Sequence, residues 1–457
     1  MQADASLRRP SDPSPYGQRK AGLLAKLQAG ESSAPLGLGK STSNLFRDRA
    51  EQRKRRLDLR NFCHVLEVRA EEGWVDAEGL TSYEDLVAAT LPRGVMPAVV
   101  PQLKTITIGG AAAGVGIEAT SFRHGLMHET LIEFDVLLPS GDLVLCRPDN
   151  EYSDLFFGFP NSYGTLGYAL RLRQRTIRVK SCVRVEHQRY ESAHAYFAAL
   201  GEQCAGTADF IDGVAFGAHT LVLNLARFVD EAPQLSDYGF EHIYYRSLLD
   251  KDVDYLDVGD YLWRWDTDWF WCSKNLGAQN PFVRQILGRK RLNSRTYTRV
   301  MRWNARWGLT RHWARMRGLY PEAVVQDVDI PLARAEEFLD FLLREIGIVP
   351  IWICPLRAID GVARYPLYPL EPGALYVNFG FWDTVYSNVA QEPGYYNRLI
   401  EREVLRLGGI KSLYSDSFFT REEFAKAYGM QQLELLKAKY DPKGRALGLY
   451  EKCVLHA

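Results

Sequence analysis

The stretch TITIGGAAAGVGIEATSFRHGL, residues 105–126, constrains the fold more than any other part of the chain. More than half of it is Gly, Ala, Ser or Thr. Missing side chains let another group, protein or ligand, lie directly on the backbone. Gly109 and Gly110 follow the apolar run Ile106-Thr107-Ile108, and Gly114 and Gly116 follow three alanines. A dinucleotide fingerprint needs G-x-G-x-x-G between a strand and a helix, with an acid about 20 residues on. The spacing here, G-G-x-x-x-G-x-G, differs from it. Backbone N–H groups in such a bend still suit a pyrophosphate. Tight packing of chain on chain is the competing reading.

A second glycine-rich stretch, GLGKST at 37–42, has the look of a phosphate-binding P-loop. That motif needs a glycine five residues before the glycine of the Gly-Lys pair, and a buried strand ahead of it. Ala34 holds the glycine position, and LQAGESSAP is loop-like. An NTPase is therefore not indicated, and an ordinary Gly/Ser loop remains open. The chain has 457 residues, 46% of them hydrophobic, which suggests two or three domains. Zero net charge argues against nucleic acid as a partner. Seven scattered cysteines without a C-x-x-C point to a reducing compartment, not a disulfide framework or zinc site. No run of about 18 apolar residues exists to span a membrane. The N-terminus lacks the apolar stretch of a secretory signal. A cytoplasmic protein is expected, with residues 1–33 as a disordered basic tail.

Alternation predicts hairpins over 66–78 and 131–146, and a half-exposed strand over 169–177, Leu inside and Arg outside. Thr81-Ser-Tyr-Glu84 reads as a capping box opening a helix over 82–92. Residues 34–178 therefore read as an α+β unit with many short strands. In 179–405, helices over 191–200 and 331–347 alternate with strands over 220–228, 350–354 and 374–382. Helices covering one face of an antiparallel sheet fit that mixture. Residues 406–457 read as mostly helical. From Arg284 to Arg317 there are eleven Lys or Arg and no Asp or Glu. Arg291, Arg295, Arg299, Arg302 and Arg306 share one helical face, interleaved with Tyr297, Trp303, Trp307 and Trp313. A solvated basic helix and a helix on an anionic bilayer both fit 284–317. YLWRWDTDWFWC, 261–272, reads as core, with some rings available to an apolar channel.

The motifs PQLKTITIGGAAAGVGIEATSFRHGL, SDLFFGFPNSYGTLGYALRLR (153–173), GKSTSNLFRDR (39–49), PIWICPLR (350–357), YVNFGFW (376–382) and KSLYSDSFFTREEF (411–424) occur in one order. Together they resemble FAD enzymes of the vanillyl-alcohol oxidase type, with their PCMH-type flavin domain. Within these, the chain resembles the Δ24-sterol reductase (diminuto-like) branch, and most of all bacterial reductases of 10-methylene fatty acyl chains. The resemblance covers residues 36–455. It implies a two-lobed flavin domain over 34–178, a substrate (cap) domain over 179–405, and a C-terminal segment, 406–457, returning to the flavin. It places Lys40, Ser41, Thr42, Ser43 and Asn44 on phosphate. Gln102, Thr107, Ile108, Gly109, Gly110, Gly114, Val115, Gly116, Glu118, Thr120 and Ser121 would follow the FAD, with Gly164, Thr165 and Gly167 on its other side. Relatives that tether their flavin use His or Cys. The phosphate loop here has no His and Ile117 follows Gly116, so noncovalent FAD is expected.

The resemblance implies reduction of an isolated C=C in a methylene fatty acyl chain or a sterol side chain, with NADPH as electron donor. An unpolarised alkene needs a proton donor opposite the hydride source, in a dry site. Tyr163, Tyr414, Asp416, His124 and Glu118 are the candidates. His124 and His128 have a metal-like spacing but no third ligand, so no metal is expected. The partners implied are the lipid substrate, an anionic membrane surface at 284–317, which makes the protein peripheral, and a lipid methyltransferase. Two other readings stand beside this one. They are an FAD-dependent oxidase or dehydrogenase of an alcohol or sugar, and a non-catalytic flavoprotein serving a lipid methyltransferase.

Overall fold

The structure is a computed structural model that describes residues 14–28, 36–40, 46–47, 55–240, 242–359 and 365–456. The expectation of a disordered tail over 1–33 is corrected in part, since Pro15–Gln28 is a helix. Tyr16 and Leu23 fall on one face of it, as an amphipathic helix requires. They pack against Leu57, Leu59, Phe62, Leu137 and Leu170. The Tyr16 hydroxyl donates to Asp135 at 2.6 Å, and Arg19 pairs with Glu78 at 2.7 Å. Pro/Ser/Arg composition masked that apolar face.

Strands β1 (Leu36–Gly39) and β2 (Arg55–Asp58) form a small parallel pair. The next six are β3 (Val65–Arg69), β4 (Trp74–Glu78), β5 (Val95–Pro97), β6 (Leu131–Leu137), β7 (Leu143–Cys146) and β8 (Tyr168–Arg178). They make an antiparallel sheet in the order β3-β4-β8-β6-β7, with β5 also on β8. Both predicted hairpins are present. Leu170 and Leu172 of β8 are buried as predicted. Arg171 and Arg173 do not face open water, however. They lie against buried Asp76 and Glu133, and Arg171 reaches Glu133 at 2.8 Å. The helix after β4 runs Tyr83–Thr90, and its cap is one residue later than predicted. Ser82 Oγ accepts from the Asp85 N–H, whereas Thr81 donates its hydroxyl to the His64 carbonyl.

A second antiparallel sheet follows. Its strands are β9 (Cys182–Tyr190), β10 (Phe210–Gly217), β11 (Thr220–Val229), β12 (Val253–Asp257), β13 (Tyr320–Pro331), β14 (Ile351–Arg357), β15 (Leu375–Ser387) and β16 (Ile410–Lys411). Their order is β12-β9-β11-β10-β14-β15-β13-β16. Side-chain alternation gives the sheet two apolar faces. Leu221, Leu223, Val328 and Phe379 meet Phe197, Leu200, Phe338, Ile400 and Val404 of the helices Ala193–Gln203, Ala335–Phe341 and Tyr395–Arg406. Val214, Val222 and Trp352 point the other way, into the core shared with the first sheet. The helix predicted over 331–347 is shorter: Pro331 still belongs to β13, and a wide π turn, Leu342–Ile346, ends the helical run.

The basic segment forms three helices, Pro281–Leu287, Ser294–Trp307 and Leu309–Met316. Arg291 precedes the second of these, so it is not part of the predicted face. Three of the segment's arginines are neutralised by acids elsewhere: Arg284 by Asp268, Arg289 by Asp237 and Arg295 by Glu84. Among the described residues no helix is long and apolar enough to cross a membrane. The helices Arg421–Ala427, Met430–Tyr440 and Leu449–Cys453 close the chain and bury Phe424, Tyr428, Leu433 and Cys453 in the shared core.

Gly79 is where two segments of the first unit touch through backbone alone. A Cβ there would stand 1.9 Å from the Ala169 carbonyl oxygen. Gly79→Ala is expected to destabilise the fold by about 1–3 kcal/mol or more, as overpacking does. Gly22→Ala, in the first helix with nothing within 4 Å, is expected to stabilise by roughly 0.5–1 kcal/mol. Urea denaturation of the two variants checks both signs.

Candidate functional site

A cavity of about 1570 Å³ opens between the small-residue bend and strands β13, β14 and β15. Pockets for drug-sized ligands span roughly 300–1,000 Å³, so this one has room for a dinucleotide and part of a second molecule. Its first wall is built by the bend. Thr107 caps the short helix Ile108–Ala113, its Oγ1 accepting from the Gly110 N–H at 3.2 Å. Ile108 and Ala112 turn into the core, while Gly109, Gly110, Ala113 and Gly114 face the cavity. The opposite side of Gly109 is occupied by protein. Its N–H donates to the Gly79 carbonyl at 2.9 Å, and a Cβ would meet that oxygen at 2.7 Å. Chain-on-chain packing and an open small-residue wall therefore coexist in this one bend.

The residues predicted to hold the cofactor divide into three groups. Gln102, Thr107, Gly109, Gly110, Gly114, Val115 and Gly116 line the first wall, and Lys40, Gly164 and Gly167 line the cavity elsewhere. Ile108, Glu118, Thr120, Ser121 and Thr165 are packed behind that lining. Thr120 donates to the Ala98 carbonyl at 2.8 Å, and Ser121 Oγ accepts from the Glu118 N–H at 3.0 Å, so both shape the loop. Ser41, Thr42, Ser43 and Asn44 lie outside the described residues. Glu118 sits 3.7 Å from Arg264, and burial pushes its carboxyl up to about 7.

Tyr163 and Tyr414 meet the cavity together. The structure places the other proton-donor candidates elsewhere. Asp416 faces His456 at 3.5 Å, near the end of the chain. His124 ends the short helix Ser121–His124, packed against β14, where burial and Arg123 hold its imidazole below the usual value. His128 is buried edge-on to Tyr365, and burial takes it down to about 3.

Several lining residues carry no signal in sequence spacing. Phe46 and Arg47 reach the cavity because Phe46 bridges to Ser415, its N–H donating to the Tyr414 carbonyl at 2.8 Å. The Arg47 guanidinium lies 4.8 Å from the Tyr163 ring centroid, and Lys452 donates to the Tyr163 carbonyl at 2.8 Å. Asp327 of β13 and Trp382 of β15 stand beside Tyr414. Trp269, Phe270, Trp352 and Trp382 make the far end aromatic. Tyr163, Trp269, Phe270 and Trp271 hold positive φ values of 48°, 43°, 48° and 60°. Each such residue stores roughly 1–3 kcal/mol of strain, and such strain clusters where function fixes the backbone. Lys40, Arg47, Arg56 and Lys452 add cationic side chains to the cavity lining. A group with an anionic middle, a narrow contact on small residues and a planar ring among aromatics fits these walls, as FAD does.

Comparison with known proteins agrees. Residues 28–147 match a family described as an FAD binding domain. The structural unit extends beyond that match, because β8 lies at the centre of the first sheet. A Δ24-sterol reductase of Arabidopsis thaliana is 26% identical over 87% of this chain and 76% of its own length. The Δ24-sterol reductase of Homo sapiens is 25% identical over 86% of this chain and 76% of its own. A cytokinin dehydrogenase of Oryza sativa is 37% identical, but over only 22% of this chain and 19% of its own length. The chain is thus similar to Δ24-sterol reductases over most of its length, and its residues 28–147 match an FAD binding domain.

The segment that follows Tyr414 is held by a buried ion pair. Lys411 Nζ reaches Glu401 at 2.9 Å with both side chains fully buried, and also bonds Ser417 Oγ and the Asp416 carbonyl. Glu401 accepts in turn from the Phe418 N–H. Glu401→Gln leaves the ammonium buried without its counter-charge, so a loss of about 3–5 kcal/mol is expected. Urea unfolding measures it, and a change under about 1 kcal/mol contradicts this role.

Proposed function

We propose that this chain reduces an isolated carbon–carbon double bond in a lipid, a methylene fatty acyl chain or a sterol side chain, using bound noncovalent FAD and NADPH. The observation that carries this reading is the continuity of one cavity. Its lining joins the small-residue wall, an aromatic end and residues of two amphipathic helices. Gln102, Thr107, Gly109, Gly110, Gly114, Val115 and Gly116 would hold the cofactor on one side, with Gly164, Gly167 and Lys40 on the other. When bound, FAD supplies hydride chemistry. The chain's own residues do the rest. Trp269, Phe270, Trp352 and Trp382 present hydrocarbon surface that excludes water and accepts an apolar chain. Arg47 and Lys452 fix Tyr163 against the wall.

Val300, Met301, Arg302, Trp303, Asn304 and Thr310 of these helices line the cavity. The same helices expose Trp303, Trp307, Trp313 and Met316 at 56%, 64%, 54% and 68%, beside exposed Arg311 and Arg315. Tryptophan at the interface and arginine on head groups is the pattern of a helix lying on an anionic bilayer. A lipid would then pass from bilayer to cavity without crossing water.

Anaerobic mixing tests the reaction. NADPH is expected to bleach the flavin without lipid, and the unsaturated lipid to restore its colour while gaining two hydrogens. Bleaching by an alcohol or sugar, and not by NADPH, is the outcome of the oxidase or dehydrogenase reading. Vesicle sedimentation tests the surface: Arg311→Ser/Arg315→Ser is expected to weaken binding to anionic vesicles roughly 30-fold, at about 1 kcal/mol for each arginine. Unchanged binding contradicts it.

A further inference from the structure

A reductase of an unpolarised alkene needs an acid as much as it needs hydride. The cavity holds a compact arrangement that meets this need. Tyr414 Oη accepts from Trp382 Nε1–H at 2.8 Å, and the Asp327 carboxyl lies close enough to interact with it. All three residues line the cavity. Asp327 Oδ1 is buried with no hydrogen-bond partner. Asp327 pairs with Gly380 across β13 and β15, and a Cβ on Gly380 would stand 2.7 Å from Asp327 Oδ1 and 2.6 Å from the Trp382 ring. The glycine is what lets acid and indole sit side by side. Phe46 seats the other edge of the tyrosine, with ring centroids 5.9 Å apart.

We propose that Tyr414 is the proton donor to the substrate alkene and that Asp327 is the acid that recharges it. This rests on the reductase reading above. With Asp327 protonated, its O–H and the Trp382 N–H both donate to the tyrosine oxygen. The tyrosine's own proton is then directed into the cavity, and two donors stand ready for the charge left on its oxygen. The balance is simple. One proton leaves Tyr414 for the less substituted alkene carbon, and one hydride, derived from NADPH through the flavin's chemistry, goes to the more substituted carbon. The π bond breaks and two C–H bonds form. Asp327 returns a proton to the tyrosine and regains its own from water.

The surroundings suit an acid that is half protonated near neutrality. Burial and the neighbouring Asp329 push the Asp327 carboxyl up to about 7, against the lowering effect of the nearby Tyr414 hydroxyl. Tyr163, near Asp327, carries Arg47 on its ring, and Asp383 on β15 is paired with Lys274 at 2.7 Å. Cys272 on the same wall is held above the usual thiol range by burial, up to about 12.

The experiment follows reoxidation of NADPH-reduced holoenzyme by unsaturated lipid, in single turnover, across pH. The wild-type rate is expected to fall as pH rises through about 7, because the recharging acid is lost. Tyr414→Phe is expected to slow this step by roughly 10²–10⁴-fold with FAD binding retained. Asp327→Asn is expected to be slower and to lose the break near neutrality. In infrared spectra of the holoenzyme, the carboxylic acid signal titrating near pH 7, to which Glu118 also contributes, is expected to shrink in Asp327→Asn and to lose the part that Asp327 supplies. A wild-type rate flat through that pH, which needs no variant, overturns the assignment. So does a Tyr414→Phe rate close to wild type, or the wild-type break surviving in Asp327→Asn. If lipid fails to reoxidise wild-type flavin at any pH, it is the reductase reading that falls.

Discussion

Arg264 is a guanidinium without water. Its side chain is 1% exposed and so is that of Asp212, which it meets at 2.6 Å. Burying either charge alone would cost far more than a fold of this kind can tolerate, so everything that shapes the pair must hold together. Asn224 and Trp352 donate to Asp212, and Arg264 also donates to the Tyr261 carbonyl. Glu118 approaches the same guanidinium from the end of the glycine-rich bend. The Ile211 N–H donates to the Ala119 carbonyl at 2.8 Å. One charge cluster thus fastens the bend, the aromatic segment and the second sheet to each other.

The cavity is the space left between those fastened parts. Its small-residue wall comes from the bend, its aromatic end from the segment carrying Arg264 and from β14 and β15, and its basic residues include Lys40, Arg47, Arg56 and Lys452. The strained backbone at Trp269, Phe270 and Trp271 lies five to seven residues beyond Arg264. A rigid ionic anchor close by is what allows such a conformation to persist. Glu118, read from sequence as a cofactor contact, has its strongest observed role in this anchor.

Much of this was legible in the sequence where one physical rule dominates. The hairpins of β3–β4 and β6–β7 follow from alternation and turns, and the bend stands out because Cβ atoms are missing where backbones touch. The first helix was hidden because Tyr16 and Leu23 lie in a run dominated by Pro, Ser and Arg. The cap at Ser82 was misplaced by one residue because Thr81 fits the same rule, and only the tertiary partner His64 decides between them. Arg171 and Arg173 looked solvent-facing because their acids, Asp76 and Glu133, are distant in sequence. Asp327 was invisible for a related reason. In VVQDVDIP it is an ordinary polar position on a strand, and it gains chemistry only when Tyr414, Trp382 and Gly380 arrive from β15 and the C-terminal segment.

The central claim is that the bend and its neighbours clasp a flavin without a covalent bond. Titrating flavin-free protein with FAD, followed by tryptophan fluorescence, tests it most directly, because Trp269, Trp352 and Trp382 line the cavity. Quenching that saturates at one FAD per chain, with the cofactor released intact on denaturation, is the predicted result. Absence of saturable quenching, or a flavin that stays attached to the unfolded chain, contradicts it.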